Sequence, residues 1–242
     1  MHRRALAFDA CLNVRDLGGL STRRGPTRAR ALIRADSLCR LSSRGQDALV
    51  AYGVRTVVDL RGHEEVGTDP NPFGEHPAVR YRHLPLQSEV TVALMQRVET
   101  GEIADRLIVD LSRANVGRVF RAMANADPGG IVFHCAAGKD RTGIVAVLLL
   151  ELSGAHRDAI VDDYMLSDEP LRRFHEEWVE AASPLDRDRV RSLIVCRPER
   201  PLALLAHVDE RYGGVERYLS GAGVASDEVA ALRGRMFTSR DG

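Results

Sequence analysis

The residues best suited to chemistry stand in one stretch, His134-Cys135-Ala136-Ala137-Gly138-Lys139-Asp140-Arg141-Thr142-Gly143. Arg141 follows Cys135 by six positions. That spacing alone recurs by chance in an arginine-rich chain, but His134 before the cysteine and Gly138 inside the interval make it specific. A loop that leads from a strand into a helix aims unpaired backbone N–H groups at an anion, and the helix dipole adds to the pull. Ala136, Ala137 and Gly138 are small enough for the backbone to curl closely around phosphate oxygens. The planar fork of Arg141 can take two of those oxygens at once. Such a field favours a thiolate over a thiol. Cys135 is therefore expected to attack phosphorus and form a phosphocysteine that water hydrolyses. Arg141 and the loop N–H groups would stabilise the equatorial oxygens in both steps. Residues 136–142 then form the phosphate cradle. Thr142 either donates a hydrogen bond to the thiolate or is an ordinary first-turn residue. The plain alternative, a structural cysteine beside a helix start, sits poorly with successive Lys139, Asp140 and Arg141.

These side chains need a strand and a helix to hold them. Ile131–His134 reads as a short buried strand after the turn at Asp127-Pro-Gly-Gly, and a helix runs from about Arg141 to Ser153. Val54–Arg61 reads as a second buried strand ending at Asp59, with weaker strands at 31–38 and 81–86. Ser43 with Gln46 opens a helix that Gly53 stops. Residues 63–78, rich in proline and glycine, read as loop. Residues 88–126 read as helix broken near Gly101 and Asn115. Residues 156–236 read as helices broken around Pro184, Pro198–Pro201 and Gly213–Gly214, the last opened by a capping Ser226. The pattern predicts one α/β domain over 1–242, with a small, mainly parallel central sheet flanked by helices and extra helices at the C-terminal end.

Composition narrows the function. The chain has 242 residues and zero formal net charge, so no global field draws it to nucleic acid or to an anionic membrane. Of 34 basic residues all but Lys139 are arginine, an excess that reads as genome composition; the lone lysine is either a chance survivor or marks a place where a compact ammonium fits and a planar guanidinium would not. Cys11, Cys39, Cys135 and Cys196 form no Cys-x-x-Cys pair and suggest neither a zinc site nor a disulfide scaffold. Asp9 interrupts the apolar start of the chain too early for a signal peptide. A reduced, cytoplasmic protein is expected, with no transmembrane segment, metal or cofactor. The sequence does not specify an oligomeric state.

The loop resembles the HCxxGKDRTG signature of the protein tyrosine phosphatase superfamily, and of its bacterial, atypical, lipid-phosphatase-like group of tyrosine and dual-specificity enzymes. Asn13–Gly19 (NVRDLGG), Val57–Arg61 (VVDLR), Asp162–Glu169 (DDYMLSDE) and, more weakly, Tyr212–Leu219 (YGGVERYL) are similar to that group's pattern in the same order. The resemblance implies a phosphotyrosine-type fold, no metal and a cysteinyl-phosphate mechanism. It carries the nucleophile to Cys135, the phosphate clamp to Arg141 and an extra cation to Lys139. It also implies phosphotyrosine proteins or phosphoinositides as partners.

A departing phenolate or alkoxide needs a proton donor. Trp-Pro-Asp is absent, which leaves Asp140, for which the resemblance speaks, and Asp59, at the strand end where α/β sites gather. Asp16 is expected to brace a loop near the site, and His134 to support it by hydrogen bonding. His63-Glu64-Glu65 reads as a solvated loop. Cys39 reads as inert, or as a partner for oxidised Cys135. Lys139 is expected as a mobile ammonium at the rim that reaches a neighbouring phosphate, with residues 88–115 forming a lid. A sulfur transferase, an arsenate reductase or a non-catalytic phosphate binder would share the anion cup. The first two give no reason for NVRDLGG, and the last none for an intact cysteine and arginine.

Overall fold

The computed structural model describes residues 4–237. The first residues of the segment read for a leader lie outside that range. Five strands make one sheet in the order β1-β2-β5-β3-β4. They are β1 (Arg15–Asp16), β2 (Leu32–Ala35), β3 (Val54–Asp59), β4 (Arg80–His83) and β5 (Gly130–His134). All neighbours pair parallel except β1 with β2. The helices between strands are α1 (Ser43–Tyr52), α2 (His63–Thr68), α3 (Glu89–Met95), α4 (Gly101–Leu111) and α5 (Arg113–Ala124). After β5 come α6 (Asp140–Ser153), α7 (Arg157–Met165), α8 (Asp168–Ala181) and α9 (Arg187–Ile194). The last are α10 (Glu199–Tyr212), α11 (Val215–Gly221) and α12 (Ser226–Met236). The α/β class with a mainly parallel sheet is thus as the sequence predicts.

Strand alternation divides the core between the two faces of the sheet. Leu32, Val58, Ile131 and Phe133 pack with α6 on one face, and Ile33, Val57 and Val132 pack with Leu49 of α1 on the other. Nearly every residue of α6 from Thr142 to Leu152 is buried, as expected of a helix that is apolar all round. Register sets Asp59 beside both His83 and His134, and His134 beside Ala35. The C-terminal ends of four strands therefore share one edge, and Cys135 leaves the sheet from its centre.

Several local expectations shift. Ser42, not Ser43, caps α1, through Oγ accepting from Gly45 N at 3.2 Å. In 88–126 the break before Gly101 falls where the sequence predicts, between α3 and α4, and the second falls at Ser112 rather than near Asn115, between α4 and α5. Residues 63–68 form a short helix rather than loop, because the Glu65 carboxylate reaches back to Gly62 N at 2.8 Å. Ala225 occupies the cap position of α12 in place of Ser226, and Glu228 accepts from its N–H at 2.9 Å. YGGVERYL is structural: Arg113 lies 4.7 Å from the Tyr212 ring and 5.3 Å from that of Tyr218, and the Tyr212 hydroxyl donates to Asp110.

Candidate active site

The four successive carbonyls of the loop from Cys135 to Gly138 are each taken by a donor of the surrounding structure. His134 Nδ1 meets the Cys135 carbonyl at 3.0 Å, Ser37 N the Ala136 carbonyl at 2.9 Å, Asn13 Nδ2 the Ala137 carbonyl at 2.9 Å and Arg34 Nη2 the Gly138 carbonyl at 2.8 Å. A trans peptide carries its N–H opposite its C=O. Fixing carbonyls 135–138 outward therefore aims the N–H groups of Ala136, Ala137, Gly138 and Lys139 inward, as an anion cup requires. Gly138 has φ +67°, and a Cβ there would lie 2.6 Å from the Ala35 carbonyl oxygen, so only glycine fits.

Cys135 is buried at the base of this cup. Arg141, in the first turn of α6, is held by Glu65 of α2: Nη1 bonds Oε2 at 2.5 Å and Nη2 bonds Oε1 at 2.9 Å. Burial raises the Glu65 pKa, but the arginine outweighs it and the carboxyl sits below its ordinary range. Glu65 is thus part of the site, although its sequence context reads as solvated loop. The Thr142 hydroxyl is buried and has no hydrogen-bond partner among the described residues.

The other expected residues are placed as follows. His134 is fully buried, with Asn71 Nδ2 donating to its Nε2 at 2.9 Å, which leaves the proton on Nδ1 for the Cys135 carbonyl. Burial lowers its pKa and keeps it neutral, a supporting residue. Asp59 is also fully buried, and both oxygens are filled: Arg61 Nε and Nη2, Arg61 N, Asn71 and Tyr81 all donate to it. Burial pushes its pKa up, but Arg61 outweighs that and holds it well below the usual range. Asp59 therefore anchors the strand ends and has no free oxygen for a leaving group. Asp16 does not brace the cup; it accepts from Gly18 N, Arg30 N and the Tyr52 hydroxyl, closing its own loop. The segment NVRDLGG reaches the site through Asn13 instead, which Arg15 holds by Nη1 at 2.5 Å.

Lys139 does not stand at the rim as a mobile ammonium. Its side chain is 1% exposed, and Nζ donates to the Ile194 carbonyl at 2.5 Å and the Leu193 carbonyl at 3.3 Å. The unpaired carbonyls at the end of α9 attract a cation, and a compact ammonium fits among them. Asp140 Oδ1 lies 3.2 Å from Lys139 Nζ and 2.7 Å from Arg200 Nη1, while 43% of its side chain remains exposed. Burial of that oxygen raises the Asp140 pKa, but the two cations outweigh it and hold the group well below the ordinary range.

A groove of about 540 Å³ opens over Ala136 and Ala137. Arg40, Arg61 and Cys39 line one side; Leu171, Phe174, His175 and Trp178 of α8 line the other. The cover is α8, not residues 88–115; the loop after α3 instead holds α9, through Arg189 Nε on the Val98 carbonyl at 2.9 Å. Cys39 is not a bystander in an apolar core: Arg61 Nη1 lies 2.7 Å from its sulfur.

A buried cysteine at the base of a backbone cup, an arginine in the first turn of the following helix and a mainly parallel sheet behind them form an anion-binding arrangement on an α/β fold. The sequence model of the Tyrosine phosphatase family matches residues 6–238, and the chain belongs to that family: it is a phosphatase. It is similar to a tyrosine-protein phosphatase of Nostoc commune, 31% identical over 219 residues that cover 86% of this chain and 74% of that one. It is also similar to the triple specificity protein phosphatase PtpB of Mycobacterium tuberculosis, 28% identical over 270 residues that cover 93% of this chain and 96% of that one.

Proposed function

We propose that the protein hydrolyses phosphotyrosine through a cysteinyl-phosphate intermediate at Cys135, within a single catalytic domain. The observation that carries this reading is the outward bonding of four successive loop carbonyls, which presets the cup before any anion arrives. The Cys135 sulfur attacks phosphorus, the P–O bond to the leaving group breaks, and Arg141 with the inward N–H groups holds the equatorial oxygens. Water then attacks phosphorus, and the sulfur departs, assisted by the free Thr142 hydroxyl.

Asp140 is the better reading for the general acid, since part of its carboxyl is exposed whereas Asp59 is spent. Lys139 and Arg200 keep Asp140 ionised at neutral pH. Little of the enzyme then carries the proton, which penalises an alkoxide far more than a phenolate, the conjugate base of a group of pKa about 10. Aryl phosphates are favoured accordingly, and Phe174 and Trp178 offer a ring two aromatic faces. Phosphoinositides are a second substrate class, favoured by the half-exposed apolar lip of Leu12, Phe174 and Trp178. Arg40 lines the groove exposed and without an ion pair among the described residues, and it replaces Lys139 as the cation for a neighbouring phosphate.

Cys135→Ser should abolish release of phosphate from phosphotyrosine peptide and from para-nitrophenyl phosphate, while phosphate binding persists because the cup remains. Turnover within tenfold of wild type in that variant sinks the mechanism.

A further inference from the structure

Arg34 stands in the middle of β2, between Ile33 and Ala35, on a strand with no exposed residue. It is 0% exposed, on the sheet face that carries α6. A guanidinium on a central strand costs several kcal/mol of desolvation unless its bonds repay it. Among the described residues its bonds run to two places: Nη1 to Asp163 Oδ2 at 2.8 Å, and Nη2 to the Gly138 carbonyl at 2.8 Å. Nε is buried and unpartnered among the described residues.

The peptide that Arg34 grips is the one most able to turn over. Gly138 lacks a Cβ and sits at positive φ, so rotation of the Gly138–Lys139 plane meets less steric resistance than at an alanine. Turned over, that plane would present a carbonyl to the phosphate and withdraw the Lys139 N–H. Bonding the carbonyl to a charged donor prevents this and polarises the N–H on the other side. Asp163 fixes Arg34 in turn, and also takes Arg4 at 2.6 Å and Arg15 at 3.1 Å.

We propose that Arg34, held by Asp163, is a positioning residue that locks the Gly138–Lys139 peptide with its N–H aimed into the cup. The proposal rests on the reading of that cup as the phosphate site. Arg4 is the internal control, since it shares Asp163 but does not bond the loop.

The test is titration of inorganic phosphate into wild type, Arg34→Met and Arg4→Met by calorimetry, with kcat/KM on para-nitrophenyl phosphate and urea unfolding of each. Loss of a bond to a charged donor predicts phosphate binding and kcat/KM weaker by about 10- to 100-fold in Arg34→Met. Arg4→Met should lose stability while both constants stay within about 3-fold of wild type, less than the ~1.4 kcal/mol of a tenfold change. Equal losses in the two variants, or unchanged constants in Arg34→Met, overturn the positioning role. If Arg34→Met does not fold, Arg34→Gln, which lacks the charge and cannot hold both partners, takes its place, and unchanged phosphate affinity there overturns it too. If wild type binds no phosphate, the reading of the cup has failed, an outcome separate from these.

Discussion

Behind the phosphate loop the charged side chains are buried and answered; in front of it, on α8 and α9, they lie on the surface. The rear has Asp163 among Arg4, Arg15 and Arg34, and Asp59 among Arg61, Asn71 and Tyr81. The front has Arg172–Glu169, Arg173–Glu177 and Arg191–Asp188, pairs whose side chains are more than half exposed and which contribute roughly 0.3–0.5 kcal/mol each. In α8 only Leu171 is buried, and in α9 no residue is. Few bonds tie α9 down: Lys139 and Arg200 on carbonyls at its C-terminal end, and Arg189 on the loop after α3. The geometry that must be ready for the reaction is fixed by the core. The wall that meets the rest of the substrate is fastened at a few points and has little buried area to resist lifting.

The strongest test of this division is at Asp163. Asp163→Leu leaves two buried guanidinium groups, Arg15 and Arg34, and the part-buried Arg4 without their counter-charge, and breaking a buried pair from one side costs about 3–5 kcal/mol. Urea unfolding should show that loss as a fall in midpoint at constant slope. A midpoint equal to wild type would mean that the rear is held by packing alone.

Acid should act on the rear in the same sense. Asp59 and Asp163 both have native pKa values held below the unfolded one, by Arg61 and by the arginine cluster respectively, against the upward push of burial. The stability they contribute is whole above the unfolded value of about 3.9 and is lost as pH falls through their lower native values. Stability measured from pH 6 down to pH 3 should therefore decline in wild type. It should decline less steeply in Asp59→Asn, which starts lower and has one fewer proton to bind. Parallel curves would remove Asp59 from the acid response.

At the front, Arg189→Ala should free α9 without weakening the sheet. Limited proteolysis between residues 181 and 199 should quicken severalfold, while the global unfolding free energy changes by less than about 1 kcal/mol. If both change together, the front and rear are one cooperative unit and the contrast fails.

The same contrast explains what the sequence disclosed. The loop was legible because strand, glycine and helix start are local patterns, and Cys135, Gly138 and Arg141 lie within seven consecutive residues. Its supports come from far along the chain: Asn13 bonds Ala137, Arg34 bonds Gly138 and Glu65 bonds Arg141, and spacing does not report such pairs. Arg34 did leave a signal, a charge within the apolar run Ala31-Leu32-Ile33-Arg34-Ala35, since a charge on a central strand implies a dedicated partner. Asp59 stands at the C-terminal edge of the sheet, but Arg61, two residues on, takes its oxygens, and the strand pattern does not report that pairing. Lys139 stands out in the sequence as the lone lysine, but its partners, the carbonyls of α9, arrive from more than fifty residues away, beyond what spacing reports.

The smallest expected effect belongs to Trp178. Its ring is 50% exposed on α8, on the groove wall with Phe174 and Leu171, and it makes no bond to the cup. Contact between an aromatic side chain and a phosphotyrosine ring contributes about 0.5–1.5 kcal/mol beyond area burial, so Trp178→Ala should lower kcat/KM on phosphotyrosine peptide by about 2- to 10-fold. The loss should shrink for a small alkyl phosphate, which has no ring to place. Inhibition by inorganic phosphate should not change, because phosphate occupies the cup alone and the cup is set from behind. Arg34→Met is the mirror image, weakening phosphate itself. If Trp178→Ala also weakens phosphate by the factor it costs the peptide, α8 helps to shape the loop, and the cup is not preset by its rear supports alone.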